Sequence, residues 1–337
     1  MTSDLTLNHM LVARQAITGV ADNTPLVPSP YLSERSGVDF LLKLELAQPI
    51  GAFKLRGALN AVSNLAADTP GVTCSSTGNH GRGVAFAAAA RGVRAVICMS
   101  RLVPEAKVAG IKALGAEVRI IGESQDDAQV EVDRLVAEEG LVDINPFDDP
   151  FVIAGQGTVG LELMERRPDL ETLLIPLSGG GLAGGTALAA KSIKPSIRII
   201  GVTMDRGAAM HQSIAAGHPV EVEELPSLAD SLGGGIGADN RHSLDLCSRY
   251  LDETVLVTEE EIYRALQAIY FEDRLICEGG CAVGVAAVLA GKVTPRGSTA
   301  TVLTGRNIDM VRHSDIMQGR DVQLGDYLLK GAPYQRA

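Results

Sequence analysis

The sequence predicts an α/β fold built on parallel sheets, and three observations carry that reading. Short β-branched runs alternate with longer helical stretches along the chain. The runs are apolar throughout, as in strands covered by helices on both faces. Glycine-rich clusters stand where strands hand over to helices, as in ligand-binding βα turns. Right-handed βαβ crossovers then connect the strands.

Residues 72–75 read as a strand and 79–91 as an Ala-rich helix. A strand over 95–99 precedes a helix over 104–114, with Pro104 in its first turn. A strand over 118–121 precedes a helix over 124–139, with Ser124 as its N-cap. Further buried strands are expected over 173–177, 197–202 and 300–303, the last ending at Thr304. Asn145-Pro-Phe-Asp-Asp-Pro150 is a turn-rich break. It divides a small unit, 53–147, from a large one made of 1–52 plus 148–337.

A chain of 337 residues suggests two domains, and 46% hydrophobic with 21% charged residues is an ordinary globular mix. Disordered, collagenous and disulfide-rich classes are excluded. A formal net charge of −11 argues against nucleic-acid binding, which needs a basic face. Five irregularly spaced cysteines fit reduced thiols of a cytoplasmic protein. Cys277 and Cys281 would share a helix face, but no matching His/Cys pair follows, so no metal site is expected. No signal peptide and no membrane span are read, and the stretch after Asn307 is too short for a regulatory domain.

The run Ser178-Gly-Gly-Gly-Leu-Ala-Gly-Gly185 follows a strand and opens a helix. Glycines let the backbone approach an anion, and the helix start supplies free N–H groups, so this reads as a phosphate cradle. Gly179, Gly181 and Gly184 also satisfy G-x-G-x-x-G, with Asp205 at the end of the next strand. An NAD-dependent dehydrogenase therefore stays open, although it leaves three other clusters unexplained. Gly51-Ala-Phe-Lys-Leu-Arg-Gly57 sets Lys54 at a helix start between Phe53 and Arg56. Partial burial there would lower its pKa and make it a nucleophile or Schiff-base former. Ser75-Ser-Thr-Gly-Asn-His-Gly81 opens a helix with a nest suited to a carboxylate. Thr304-Gly-Arg-Asn307 closes a strand, putting a small hydroxyl at the ligand crevice.

Taken in order, Phe53-Lys-x-Arg-Gly57, Ser76-x-Gly-Asn-His-Gly81, Ala154-Gly-Gln-Gly-Thr158, Gly179-Gly-Gly-Leu182 and Thr304-Gly-x-Asn307 resemble fold-type II pyridoxal-phosphate enzymes. The resemblance spans roughly residues 20 to 310 and lies with the threonine/serine dehydratase and serine racemase branch. It is nearest to the hydroxyectoine-utilisation dehydratases, through 75–81, Met99-Ser-Arg-Leu-Val-Pro104, Arg206-Gly-Ala-Ala-Met210, Ser231-Leu-Gly-Gly-Gly235 and Gly305-Arg-Asn-Ile-Asp309.

The resemblance implies a tryptophan synthase β-subunit-like fold of two three-layer α/β domains, with the cofactor in the cleft between them. It implies that Lys54 carries pyridoxal 5'-phosphate, with Phe53 against one ring face and Asn79 on the phenolic oxygen. Gly179, Gly180, Gly181 and Leu182 would hold the phosphate, and Thr304 would meet the pyridine nitrogen. Ser76, Thr77, Gly78 and His80 would form the substrate-carboxylate loop. Lys54 and Thr77 would be catalytic.

Three departures stand out. The acids that bind a cation in racemase-like members are replaced by Thr203 and Ala209, with Arg206 between them as a candidate stand-in. Thr77 occupies the position of the racemase's second-face Ser. Arg306 and Arg82 could face a second carboxylate or another polar arm of the substrate. The expected activity is β-elimination from a 3-hydroxy amino acid: threonine, serine, 3-hydroxyaspartate or a hydroxyectoine-derived hydroxy-diamino acid. The products are a keto acid and ammonia, and the partner expected by analogy is a second copy in a homodimer. An amino-acid racemase is the alternative within the class. A ligand-binding module is disfavoured, because it has no use for a reactive buried amine.

Overall fold

A computed structural model describes residues 3–336 except Thr77, Leu102, Pro104 and Ser124. The expected helix start at Pro104, cap at Ser124 and catalytic role of Thr77 therefore lie outside the described residues. Chain order begins α1 (Leu7–Ile17), β1 (Leu26–Pro28), α2 (Pro30–Ser36), β2 (Phe40–Leu44), α3 (Lys54–Ser63), β3 (Val72–Ser75) and α4 (Asn79–Arg91). It continues β4 (Ala95–Met99), α5 (Glu105–Lys112), β5 (Glu117–Ile120), α6 (Gln125–Glu139), β6 (Val142–Asp143) and α7 (Pro150–Arg166). Then come β7 (Thr172–Pro176), α8 (Gly181–Ile193), β8 (Arg198–Met204), α9 (Ala209–Ala216), α10 (Ser243–Tyr250), β9 (Glu253–Val257) and α11 (Glu259–Asp273). The chain closes with α12 (Gly279–Leu289), β10 (Thr299–Leu303), α13 (Met310–Met317), β11 (Val322–Leu324) and β12 (Tyr327–Leu329).

Two sheets organise these elements. The larger has the order β1-β2-β10-β7-β8-β9, parallel except for β1. The smaller, β5-β4-β3-β6, is parallel throughout. Alternation along the strands feeds two cores in each. In the larger sheet Leu174, Ile200 and Val202 pack with α11 and α12, while Leu173, Ile175 and Ile199 pack with α7, α8 and α10. In the smaller, Cys74 and Ile97 face α3 and α4, and Val96 and Cys98 face Val132 and Leu135 of α6. Each sheet is thus the middle of three layers, because strands apolar on both faces need cover on both.

Some expectations needed correction. β5 is not a doubly buried strand: it is the sheet edge, with Glu117 and Ile120 exposed. The strand ending at Thr304 is not the last, since the antiparallel β11–β12 hairpin follows it. Cys277 does not share a helix face with Cys281: Glu278 is the N-cap, with extended φ and ψ of −84° and 161°, so α12 starts at Gly279. Among the described residues no cluster of three His, Cys, Asp or Glu is placed to hold a metal, and no helix is long and apolar enough to cross a membrane.

Candidate active site

The carboxyl ends of β3, β7 and β10 open into one cleft of about 640 Å³, a common size for a small-molecule site. In the larger sheet β10 and β8 flank β7 on opposite sides, so the crevice beside β7 is a topological switch point. Of the residues singled out by sequence, Phe53, Lys54, Ser76, Gly78, Asn79, His80, Gly179, Gly180, Gly181, Leu182 and Thr304 all line this cleft. Arg82 joins them. Arg306 does not: it is exposed and lies over Gly51, whose added Cβ would come within 3.1 Å of its Cγ.

Lys54 is the first residue of α3, and the backbone fixes where that helix starts. Phe53 N–H donates to Thr304 O at 3.0 Å, and Arg306 N–H donates to Gly51 O at 2.9 Å. The segment before Lys54 is thereby paired with the segment after β10. The Lys54 amine donates to Pro146 O at 2.7 Å and sits 5.4 Å from the Phe53 ring centroid. Burial pushes its pKa down to about 8, against the opposing pull of Glu278. About a tenth of such an amine is neutral, hence nucleophilic, at pH 7, far more than for an ordinary lysine.

The glycine run forms the start of α8. Gly180 is its N-cap, at φ 88°, and has no side chain to cap the helix. The N–H groups of Gly179, Gly180, Gly181 and Leu182 donate to no acceptor among the described residues. A Cβ on Gly179 would strike the Phe147 ring at 2.2 Å, and one on Gly180 would meet Met210 Cε at 2.6 Å. Side chains are thus kept out while the donors stay free, which suits a phosphate. A pyridoxal phosphate fits this donor set and the amine beside it.

The second nest is the start of α4. Gly78 is its N-cap, and Gly78 N–H donates to Ser76 Oγ at 3.4 Å. Gly81 is required there, because its Cβ would lie 2.4 Å from Ser76 O. His80 is buried, with Nε2 paired to Ile144 O at 2.6 Å. Burial and the Lys54 charge hold its pKa down to about 3, so the ring is neutral.

Two residues of the site were given no role by the sequence: Glu278 was not singled out at all, and Asn307 only as the end of a motif. Glu278 is buried in the cleft wall, and its Oε1 accepts from Asn79 Nδ2 at 2.8 Å. Burial, with the Asp230 charge, pushes its pKa up to about 7. Asn307 completes the chain, donating to Asn79 Oδ1 at 2.6 Å and to Ile50 O at 3.0 Å. The signal for Glu278 was present: it is the single charge before a helix otherwise built of Gly, Ala, Val, Cys and Leu.

Residues 17–305 match the family model described as pyridoxal-phosphate dependent enzyme. A putative threonine dehydratase of Sinorhizobium fredii is 56% identical over 94% of this chain and 96% of its own length. An L-threonine ammonia-lyase of Thermotoga maritima is 39% identical over 91% of this chain and 76% of its own. The solved structure of maize serine racemase superposes with a TM-score of 0.88 at 31% identity, covering 94% of this chain and 97% of that one. With this fold, this cleft and these matches, the chain belongs to the fold-type II pyridoxal-phosphate dependent enzymes, in their threonine dehydratase-like branch.

Proposed function

We propose that the protein is a dehydratase, an ammonia-lyase, of 3-hydroxy amino acids. The observation that carries this is the Lys54 amine, its pKa lowered to about 8, set in one cleft with two uncapped helix starts. One helix start suits the cofactor phosphate and the other the substrate carboxylate. The names of the relatives, threonine dehydratase and ammonia-lyase, support the same reading.

Gly179, Gly180, Gly181 and Leu182 would hold the phosphate. Phe53 would lie against the ring, Asn79 would bind its phenolic oxygen and Thr304 its nitrogen. Pyridoxal phosphate, when bound, supplies a sink for the electron pair left at Cα. A Thr hydroxyl does not keep a pyridine nitrogen protonated as a carboxylate would. The sink is then weak, which favours prompt loss of a β-substituent over a long-lived carbanion. Ser76, Thr77, Gly78 and His80 orient the substrate carboxylate. The Lys54 amine takes the Cα proton as general base, and the β-hydroxyl leaves with a proton as water. The dehydrated product hydrolyses to a keto acid and ammonia.

A role in hydroxyectoine catabolism and a homodimeric assembly rest on motif similarity and on analogy with relatives. Ectoine-ring hydrolases encoded nearby would support the former. The decisive experiment is the visible spectrum of the purified protein, before and after borohydride, with keto-acid release from 3-hydroxy amino acids. A yellow band that reduction removes, with the label mapped to Lys54, is expected. The variant Lys54→Ala should fold and lose turnover entirely; turnover in that variant would sink the assignment.

A further inference from the structure

The Arg82 guanidinium is a cleft cation whose hydrogen-bonding needs the described residues leave open, as they do those of the neutral His80 Nδ1. It stands three residues after Asn79 on α4, 60° around a 3.6-residue helix, so both side chains project on the cleft-lining face. No carboxylate among the described residues lies within 4 Å of it, and its buried Nε has no partner. From the other side α5 closes in, where a Cβ on Gly110 would come within 3.4 Å of Nη1. A buried donor without an acceptor is costly, and a guanidinium is built to grip a carboxylate with two parallel bonds. The opposing acids at the cleft, Glu224 and Asp230, are exposed, so water satisfies them and they require no ligand.

We propose that Arg82 selects the substrate by binding a second carboxylate, so that the preferred substrate is a four-carbon 3-hydroxy amino diacid, 3-hydroxyaspartate. This rests on the β-elimination reading above. The α-carboxylate occupies the first turn of α4, and Arg82 lies about 4.5 Å further along the same helix, three residues at about 1.5 Å each. A substrate anchored at the first turn therefore has its far end on the face from which Arg82 projects. The substrate then spans the helix face with both anions held. Elimination removes water across Cα and Cβ as before, and the product is a keto diacid.

The holoenzyme and its Arg82→Gln variant are compared on 3-hydroxyaspartate, threonine and 3-hydroxy-2,4-diaminobutyrate. The wild type should favour the diacid in kcat/KM. In the variant the ratio of diacid to threonine kcat/KM should fall on the order of 10- to 100-fold, mainly through KM. An unchanged ratio, whether both values fall or neither does, overturns the proposal: Arg82 would then serve the common α-carboxylate or only the surface. A wild-type preference for the diamino substrate overturns it too, and passes the arm to Glu224 and Asp230. Binding of unreactive succinate and butyrate, followed by calorimetry, gives a readout independent of turnover. Succinate should bind more tightly than butyrate in the wild type alone. Elimination from none of the three substrates would instead count against the β-elimination reading, and the succinate comparison would still decide the role of Arg82.

Discussion

Asn79 is held from both ends of its amide: Glu278 accepts from Nδ2 and Asn307 donates to Oδ1. Glu278 therefore acts as a positioning residue, and its burial leaves a measurable trace. Its folded pKa, about 7, lies above the ordinary 4.5. Between those values the folded Glu278 binds more proton than the unfolded one, so its contribution to stability is greatest below about pH 4.5 and declines as pH rises towards 7. We expect the apoprotein of Glu278→Gln to lose this decline while keeping an acceptor for Asn79. At pH 8 the variant should exceed the wild type by on the order of 3 kcal/mol, and at pH 5 by little. Denaturation midpoints at the two pH values test this, and parallel shifts at both would contradict it. Of the site, Lys54 and the three glycine-bearing loops were legible in the sequence because their chemistry is carried by local motifs. Glu278 was marked only as a lone charge before an apolar helix, and its role arises only when α12 is laid beside the end of β10.

At the scale of elements, the start of α3 is clamped by a buried cluster of charges. The Arg56 guanidinium meets Glu45 at 2.7 and 2.8 Å and Glu162 at 2.6 and 2.9 Å, and Lys43 also pairs with Glu162. Two cations and two anions balance, and Thr158 and Thr24 take up remaining capacity at 3.0 and 2.6 Å. The cluster joins β2, α3 and α7 two residues from Lys54. Removing one member strands its partners in a medium that solvates them poorly. Arg56→Met should cost about 3–5 kcal/mol and slow cofactor uptake by the apoprotein; a midpoint change below about 1 kcal/mol would show that the cluster contributes little. The motif Ala154-Gly-Gln-Gly-Thr158 belongs to the same packing. A Cβ on Gly155 would sit 2.5 Å from Arg56 O, and one on Gly157 2.9 Å from Gly185 O. These glycines let α7 lie tightly on α3 and α8. Sequence showed the motif; only the packing shows that it serves helix contact rather than ligand contact. The apolar strands β3, β4, β7, β8 and β10 were legible but β2, buried throughout, was not, and the pattern misled at β5, an edge strand with Glu117 and Ile120 exposed.

Across the whole molecule, the alternation of apolar strands with helices was enough to foresee parallel sheets, since that pattern has few other stable solutions. The long-range ties were not legible, and Arg206 shows why. It follows β8, donates from Nε to Pro226 O at 3.2 Å and stacks over the Tyr327 ring at 4.9 Å. Its charge also faces the buried Glu259 carboxyl, which accepts from Leu228 N–H at 2.8 Å. One side chain thereby joins the larger sheet, the segment leading to the cleft loop at 231–235 and the β11–β12 hairpin. Thr203 and Ala209 bring no carboxylate to this region, so a fixed guanidinium can hold the loop where an acid pair would need a cation. Treatment of the holoenzyme with a chelator should then leave activity and Tm unchanged. Arg206→Ala should lose the hydrogen bond and the stacking together, about 1–2 kcal/mol, read as a Tm lower by several degrees. Recovery of that variant by added divalent cation, or sensitivity of the wild type to the chelator, would return the tie to a metal.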